Sequence, residues 1–365
     1  MEDNMQQPKI LITGASGNTG YPAAKELLEL SFPVRAFVRN AESAKATDLK
    51  RLGAEIFVGN MNDVRDVRNA MKGVKRAYYV PPFAPHALFT GITFAVAAEQ
   101  MGLEHVVSIT QWFASNTHPS LTTKEHWLND QVGKMSPNVE YIFINPSYAF
   151  PFVYFQSLEL IAQFGIMPDM GTNAPVSNED MGAVAAHILK DPKKHEGRSY
   201  RPSEAEMLSP QDMADIVGNV LDRKVKAQKM SKKMFRKALK SSGFPIYAYA
   251  QIPVYNEEAF TGTMEVGGPT SVVKDIVGRE PESFKTIAEQ YIVGNPLAKQ
   301  TLVNKLRAAK NLVKTMLTMV PDIEKYQREE GQPQLENTKF ASQNREWLDE
   351  HKNQHLISKN ENPDD

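Results

Sequence analysis

The sequence contains no cysteine in its 365 residues. Disulfide bonds, thiolate zinc sites and a cysteine nucleophile are therefore excluded together, and no other metal site is predicted. No apolar run approaches the roughly 18 residues that a membrane span needs. Residues 1–7 are acidic and polar, where a secretion signal is basic and then apolar. We therefore expect a cytoplasmic protein without membrane association.

A large excess of charge of either sign is also missing. The chain has 42 basic and 43 acidic residues, which gives a formal net charge of −1. Because no broad electrostatic field is available to attract nucleic acid, we expect no nucleic-acid partner. The apolar content of 41% is ordinary for a globular protein, and the length allows one large domain with additions or two domains.

Short β-rich runs alternate with longer helical patterns over residues 9–146, which is typical of βαβ units and a parallel sheet. The predicted strands are 9–14, 33–39, 54–59, 76–80, 105–110 and 139–145. The predicted helices between them are 19–30, 41–52, 64–71, 87–101 and 121–132. The pattern therefore predicts an α/β fold with a doubly wound parallel Rossmann sheet, in a domain of residues 8–150.

Beyond Pro146 the strand rhythm fades, and an aromatic, Met-rich stretch over 148–168 must either pack or line a pocket. Further helices are predicted at 178–190, 209–221, 231–241 and 282–293, with short strand-like pieces at 199–202 and 224–230. We predict a small, mainly helical cap domain over 151–294. A helical C-terminal extension with a polar tail is predicted over 295–365.

The extension carries apolar residues at steps of three and four, which predict one apolar stripe on a helix. They are Leu302, Leu306, Ala309, Val313, Met316 and Val320. We expect this stripe to dock on the protein's own body, or on a second subunit of a homodimer, in preference to an anionic membrane.

The motif GASGNTG lies where a phosphate loop is required, between the run KILIT and a helical pattern. Gly14 permits a tight turn, Gly17 lets the backbone approach a pyrophosphate, and Gly20 lets the helix pack close to the sheet. The free amides at the helix start attract an anion. The motif predicts dinucleotide binding by Gly14, Ala15, Ser16, Gly17, Asn18, Thr19 and Gly20.

The residue at the end of the second predicted strand indicates which dinucleotide binds. NAD-specific versions of this fold place an acidic residue there for the ribose hydroxyls, whereas this chain has Arg39. A guanidinium can pair with a 2′-phosphate, so NADP(H) is predicted in preference to NAD(H). The alternative is a solvated surface arginine, since Arg35 shows that the strand accepts basic residues.

Many dehydrogenases of this fold protonate the substrate with a Tyr-x-x-x-Lys pair on the helix after the fifth strand. This chain has no such pair on that helix. The one such spacing, Tyr21 with Lys25, lies in the first helix beneath the phosphate loop, on the wrong side of the fold. The helix after the fifth strand keeps a lysine, Lys124, but has Ser120 at the tyrosine position. We expect Lys124 to act at the catalytic centre by holding the nicotinamide ribose; the alternative is a helix-surface lysine.

Aromatic residues follow the fifth predicted strand, at the carboxyl edge where ligands of such sheets bind. Trp112 and Phe113, with Phe152 from the aromatic stretch, predict a pocket for a flat apolar acceptor. His126 is a further candidate for the pocket, with packing or surface exposure as its alternative.

Several motifs together give the chain its resemblance to the NmrA-like family of atypical short-chain dehydrogenases over most of residues 9–293. They are GASGNTG, VRN ending at Asn40, GNMND from Gly59, THPSLTTKEHWL from Thr117, NPSYAF from Asn145 and VSNEDMGAVAAHIL from Val176. The last is similar to the family segment that returns the chain to the Rossmann domain. The resemblance implies further cofactor contacts from Asn60, Met61, Pro81, Pro82, Tyr148, Ala149 and Phe150.

Two positions depart from the family pattern. Asn60 replaces the usual aspartate after the third strand, and the pair Pro81–Pro82 leaves no backbone N–H at the exit of the fourth strand.

The resemblance implies two functions, because the family contains NADPH-dependent reductases and cofactor-binding regulators that catalyse nothing. A hydride from NADPH can reach a conjugated acceptor without a tyrosine if water or the acceptor's own delocalisation takes up the charge. We expect a reductase of a small apolar conjugated acceptor such as a quinone, an enone or a dye. The alternative is a catalytically silent NADP(H) redox sensor that acts through a regulatory protein partner.

Overall fold

A computed structural model describes residues 7–146, 151–352 and 356–358. The strands are β1 (Lys9–Thr13), β2 (Val34–Val38), β3 (Glu55–Val58), β4 (Val74–Tyr79), β5 (His105–Ile109), β6 (Glu140–Ile144), β7 (Ile166–Pro168), β8 (Arg198–Tyr200), β9 (Lys226–Gln228) and β10 (Leu356–Ser358). The α-helices in the first half are α1 (Gly20–Glu29), α2 (Ala44–Arg51), α3 (Val64–Met71), α4 (Ala87–Met101), α5 (Leu121–Lys134), α6 (Pro151–Phe155), α7 (Leu158–Phe164) and α8 (Asn178–Lys190). Those in the second half are α9 (Pro210–Leu221), α10 (Lys232–Ser241), α11 (Ile246–Glu258), α12 (Val272–Val277), α13 (Phe284–Ile292), α14 (Leu302–Leu317), α15 (Ile323–Glu329) and α16 (Arg345–His351).

The main sheet confirms the predicted fold class. Within the described residues its strand order is β10-β8-β6-β5-β4-β1-β2-β3, and every pairing is parallel except that of β10 with β8. The order changes direction between β1 and β4, which creates a crevice at the carboxyl ends of these two strands.

The sheet is buried on both faces, as a parallel sheet with helices on each side requires. Ile10, Leu11 and Ile12 of β1 are fully buried, with Ile10 and Ile12 in one apolar cluster and Leu11 in another. On one face α8 crosses α1 so closely that a Cβ at Gly182 would lie 2.5 Å from the Cβ of Pro22. Only glycine permits this approach.

A second apolar cluster holds the helical part together. It is built from α6, α7, α9, α10, α11 and α13, with the small parallel pair β7–β9 at its edge. The helix α11 was not predicted. It is buried over most of its length and contains Pro253, so the sequence shows neither an amphipathic period nor an uninterrupted helical run.

The extension packs on the body, but through a different helix face from the predicted stripe. Asn304 and Ala308 are the buried residues of α14, whereas Leu302, Leu306 and Val313 are exposed. The Asn304 amide donates to the carbonyls of Pro296 and Lys299 within the extension, each at 2.8 Å, and the helix packs against α7 and α10 of the body. The stripe therefore does not dock on the protein's own body as predicted, because the interface with the body uses small and hydrogen-bonding side chains. Docking of the stripe on a second subunit stays a prediction.

The described residues contain neither a membrane-spanning helix nor a metal-binding cluster. None of their helices is both long and apolar enough to cross a membrane. In the same part of the chain, no cluster of three or more histidine, aspartate or glutamate residues is arranged to hold a metal ion.

Candidate dinucleotide and acceptor site

The phosphate loop is fixed to the ends of two neighbouring strands. The Thr13 hydroxyl at the end of β1 donates to the Tyr78 carbonyl at 3.2 Å and accepts from the Val80 amide at 2.8 Å. Gly14 has φ of 58°, a conformation that favours glycine. A Cβ at Gly20 would overlap the Gly14 carbonyl oxygen, and one at Gly17 would lie 2.9 Å from it. The loop therefore needs glycine at all three positions.

The amino end of α1 fits a bound pyrophosphate. Thr19 is its N-cap but makes no side-chain capping bond, and the first turn contains no acidic residue. The first backbone N–H groups of a helix have no partner within the helix, and the dipole favours an anion there. An end left without a capping side chain or a competing carboxylate is open to a phosphate group.

Two basic residues flank the loop on the side of β2. Arg39 lies just beyond β2, is exposed, and has no hydrogen bond or ion pair with a described residue. Lys45 of α2 places its Nζ 3.3 Å from Asn18 Oδ1 and 3.4 Å from the Gly17 carbonyl. Lys45 was not predicted from the sequence. A basic residue at the start of the helix that follows Arg39 could have indicated it.

The other cofactor residues implied by the family resemblance lie in different places. Asn60 and Met61 follow the edge strand β3, where the Asn60 side chain accepts from the Asn62 amide at 3.0 Å. Pro81 lines the cavity described below, and Pro82 is next to it. Tyr148, Ala149 and Phe150 lie outside the described residues, as does the side chain of Phe152.

A cavity of about 650 Å³ runs from the phosphate loop to the C-terminal extension. Asn18 and Thr19 line its one end, and Ala308 and Leu312 of α14 line the other. The wall between them is mostly apolar and includes Val80, Pro81, Ile109, Trp112, Phe113, Met234, Phe235, Phe244 and Tyr255. The structure thus brings Trp112 and Phe113 into one space with part of the phosphate loop.

Trp112 is held rigidly in this wall. Its indole N–H donates to the Thr263 carbonyl at 3.0 Å, and the Trp347 ring packs edge-on at 5.5 Å between centroids. The Arg201 guanidinium lies 3.9 Å from the Trp112 ring centroid, within cation–π range. The extension therefore supports the wall through Trp347.

His126 also lines the cavity and carries no charge at neutral pH. Desolvation lowers its pKa to about 4. A neutral imidazole keeps this part of the wall compatible with an uncharged ligand.

Lys124 lies on α5 in an environment that disfavours its charge. Its side chain is buried, and burial lowers its pKa. The ammonium has no hydrogen bond or ion pair with a described residue. It also follows closely after the amino end of α5, where the helix dipole is unfavourable to a cation. The described lining of the cavity includes His126 of the same helix but not Lys124.

Ser120 is committed to the protein interior. Its hydroxyl donates to Gln251 Oε1 of α11 at 2.8 Å, and its amide donates to His118 Nδ1 at 2.9 Å. Tyr21, whose pairing with Lys25 was predicted to lie on the wrong side of the fold, donates its hydroxyl to Asp48 at 2.5 Å.

A phenol enters the site from a helix that sequence reasoning missed. Tyr255 of α11 lines the cavity and accepts a hydrogen bond from Gln111 Nε2 at 3.2 Å. Thr123 in turn donates to Gln111 Oε1 at 3.0 Å. Burial raises the pKa of Tyr255, so the phenol keeps its proton at neutral pH.

A buried His–Glu pair joins three segments next to this phenol. His118 and Glu258 are fully buried and in contact, and Glu258 Oε1 accepts from the Thr263 hydroxyl at 3.1 Å and from the Ala341 amide at 2.7 Å. Because Nδ1 of His118 accepts from the Ser120 amide, the ring proton lies on Nε2 and is donated to Glu258. This carboxylate therefore connects α11, the segment before α5 and the extension.

Comparison with known protein families gives a match that extends from the start of the Rossmann sheet to the end of α13. The sequence profile of the NmrA-like family matches residues 6–292. The chain belongs to the NmrA-like family. Its relatives include NAD(P)-binding Rossmann-type reductases, and the resemblance drawn from the motifs is confirmed.

Relatives of this NmrA-like protein include an NAD(P)H azoreductase of Xenophilus azovorans. It is 24% identical over 286 residues, which cover 77% of this chain and 97% of the relative. An uncharacterised oxidoreductase of Bacillus subtilis is 25% identical over 293 residues, which cover 78% and 95%.

Solved structures share the fold. The triphenylmethane reductase of Citrobacter sp., in complex with NADP(H), aligns with a TM-score of 0.67 at 21% identity over 77% of this chain and 99% of its own. An NADPH-dependent quinone oxidoreductase of Escherichia coli, in complex with NADPH, gives 0.67 at 20% identity over 77% and 99%. The negative transcriptional regulator NmrA, in complex with NADP, gives 0.59 at 16% identity over 86% and 100%.

Proposed function

We propose that this NmrA-like protein is an NADPH-dependent reductase of flat, apolar, conjugated acceptors. The observation that carries the proposal is one continuous cavity, which touches Asn18 and Thr19 of the phosphate loop and continues along an apolar aromatic wall. A dinucleotide bound on the loop and an acceptor bound on the wall would share one space. The relatives named for the reduction of azo compounds, quinones and triphenylmethanes support this acceptor class.

The chain's own residues would hold the cofactor in three places. The amino end of α1 would bind the pyrophosphate, Arg39 and Lys45 the 2′-phosphate, and Lys124 the nicotinamide ribose. When bound, NADPH supplies a hydride. A ribose hydroxyl would give the Lys124 ammonium the partner that it lacks among the described residues.

The acceptor side of the cavity suits hydride transfer without a catalytic acid. A quinone takes the hydride and one proton from water to become a hydroquinone. A triarylmethane cation takes the hydride alone and becomes a neutral leuco compound, so no proton is needed. Reduction of these classes fits a wall in which His126 is neutral and Ser120 is turned away.

Arg39 sets the first prediction, which concerns cofactor choice. A charge-assisted contact with the 2′-phosphate should favour NADPH over NADH by about 1–3 kcal/mol, or roughly tenfold to hundredfold in the dissociation constant. Arg39→Ala should weaken NADPH binding by this factor and leave NADH binding nearly unchanged. Fluorescence titration with NADPH and with NADH measures the two dissociation constants.

Arg68, an exposed basic residue of α3, supplies the matched control, and Arg68→Ala should leave both affinities unchanged. Equal affinity of the native protein for NADPH and NADH would refute the assignment of Arg39.

The reductase itself is tested by following NADPH oxidation with quinones, enones, azo dyes and triarylmethane dyes. Steady turnover with any of them, abolished by Gly17→Val, is the expected result. Tight NADPH binding without turnover on any class would reject the reductase and favour a redox sensor that acts through a protein partner.

A further inference from the structure

The helix α14 is bound to the body along one face only. Its Asn311 amide donates to Glu159 of α7 at 2.8 Å, and its Thr315 hydroxyl lies 2.7 Å from that of Ser241 in α10. Arg307 forms an ion pair with the same glutamate. The contacts of α14 with the body therefore lie on its inner face.

The opposite face is apolar and exposed. We define the outer face of α14 as Leu302, Leu306, Val313 and Leu317, which are 73%, 63%, 53% and 76% exposed. They fall at helical steps of four, seven and four, so they form one stripe along a helix of about 24 Å. An apolar stripe of this length on an otherwise charged surface indicates an interaction site.

Every charged residue in the segment that carries this stripe is basic. Residues 297–320 contain Lys299, Lys305, Arg307, Lys310 and Lys314 and no acidic residue, although the whole chain has a net charge of −1. Two lysines of α10 continue this basic edge, because Lys237 and Lys240 donate to the carbonyls of Met316 and Met319. The local excess of positive charge therefore coincides with the exposed apolar stripe.

We propose that the outer face of α14 docks on the surface of an anionic lipid bilayer. A helix with an apolar stripe and basic flanks lies in the interface plane, with its leucines among the acyl chains and its lysines at the headgroups. A second copy of the chain fits less well, because it would bring two sets of positive charges together. A groove in a partner protein would have to surround α14, but the body already covers the inner face of this helix. A flat bilayer contacts only the outer face.

Docking would place the cavity beside the bilayer. Ala308, Leu312 and Thr315 of α14 line the cavity from the inner side of the same helix. An apolar acceptor dissolved in the bilayer would then have a short route to the site. This consequence depends on the proposed reductase function, whereas the docking does not.

Vesicle sedimentation of the full chain tests the proposal. The protein should pellet with vesicles of phosphatidylcholine and phosphatidylserine, and its partition should fall at least about tenfold on phosphatidylcholine alone or at high salt. The double variant Leu306→Gln/Leu317→Gln should lose a similar factor. Leu335→Gln, which removes an exposed leucine outside α14, should bind like the native chain.

Lys310→Glu reverses one exposed charge beside the stripe and gives a second test that does not depend on the leucines. It should weaken binding to the anionic vesicles while its melting temperature stays native.

Failure of the native chain to pellet, or equal pelleting of the Leu335 and α14 variants, would overturn the proposal. A native dimer that the α14 substitutions dissociate, without vesicle binding, would assign the face to a second subunit. Oxidation of NADPH by a water-soluble dye without vesicles is measured in parallel, so that failure of the reductase is seen separately.

Discussion

Glu258→Ala is expected to lower the free energy of unfolding by about 3–5 kcal/mol, because it removes one partner of a buried pair. Three donors lose their acceptor at once, namely His118 Nε2, the Thr263 hydroxyl and the Ala341 amide. Each buried donor left without a partner costs about 1–3 kcal/mol. Urea denaturation of native and variant protein measures the difference.

Glu265→Ala is the matched control, since Glu265 is an exposed glutamate of the loop that follows α11. A surface substitution of this kind should stay within about 0.5 kcal/mol of native. Glu258→Gln, which keeps one oxygen acceptor, should fall between the two. A Glu258→Ala variant within about 1 kcal/mol of native would contradict the role assigned to this carboxylate as the connection between α11 and the extension.

Lys124→Met is expected to lower kcat/KM for NADPH-dependent reduction about tenfold to hundredfold. Hydrogen bonds from a charged donor contribute about 1.5–3 kcal/mol, and loss of nicotinamide positioning acts in the same direction. The same change should leave the melting temperature unchanged or raise it, because it replaces a desolvated cation with an apolar side chain of similar length. Slower turnover in an equally stable protein would identify Lys124 as a residue of the site.

Ser120→Ala is the control for this experiment. Its hydroxyl donates to Gln251, so the variant should lose stability by about 1 kcal/mol while its turnover changes only a few fold. Serine is also too weak an acid to replace a phenol whose reference pKa is about 10. If Ser120→Ala lowered activity about a thousandfold and Lys124→Met stayed near native, the serine would be the proton donor.

The Rossmann half could be predicted because its signals are local. Strand runs between turn residues predicted β1 to β6, and the glycine spacing predicted the sharp turn that the Gly14 φ shows. The motifs were sufficient to recognise the family as well. In each case the information lies within a few neighbouring residues.

The acceptor side of the site could not be predicted in the same way. Tyr255 reaches the cavity only because α11 packs beside α5, and α11 has no amphipathic period that marks it in the sequence. Likewise, Lys45 meets the phosphate loop through the packing of α2. The buried face of α14 depends on what lies beneath it, so its apolar pattern alone did not indicate the side that packs on the body.

The central claim, that a hydride passes from NADPH to an acceptor in this cavity, is tested most directly by following the hydride. NADPH carrying deuterium at both C4 positions of the nicotinamide is incubated with the protein and a triarylmethane dye, and the leuco product is analysed by mass spectrometry. We predict deuterium on the central carbon of the product, formed more slowly with Lys124→Met. Saturated NADPH binding with no deuterium transfer above the protein-free level, to this dye or to an enone, would contradict the claim.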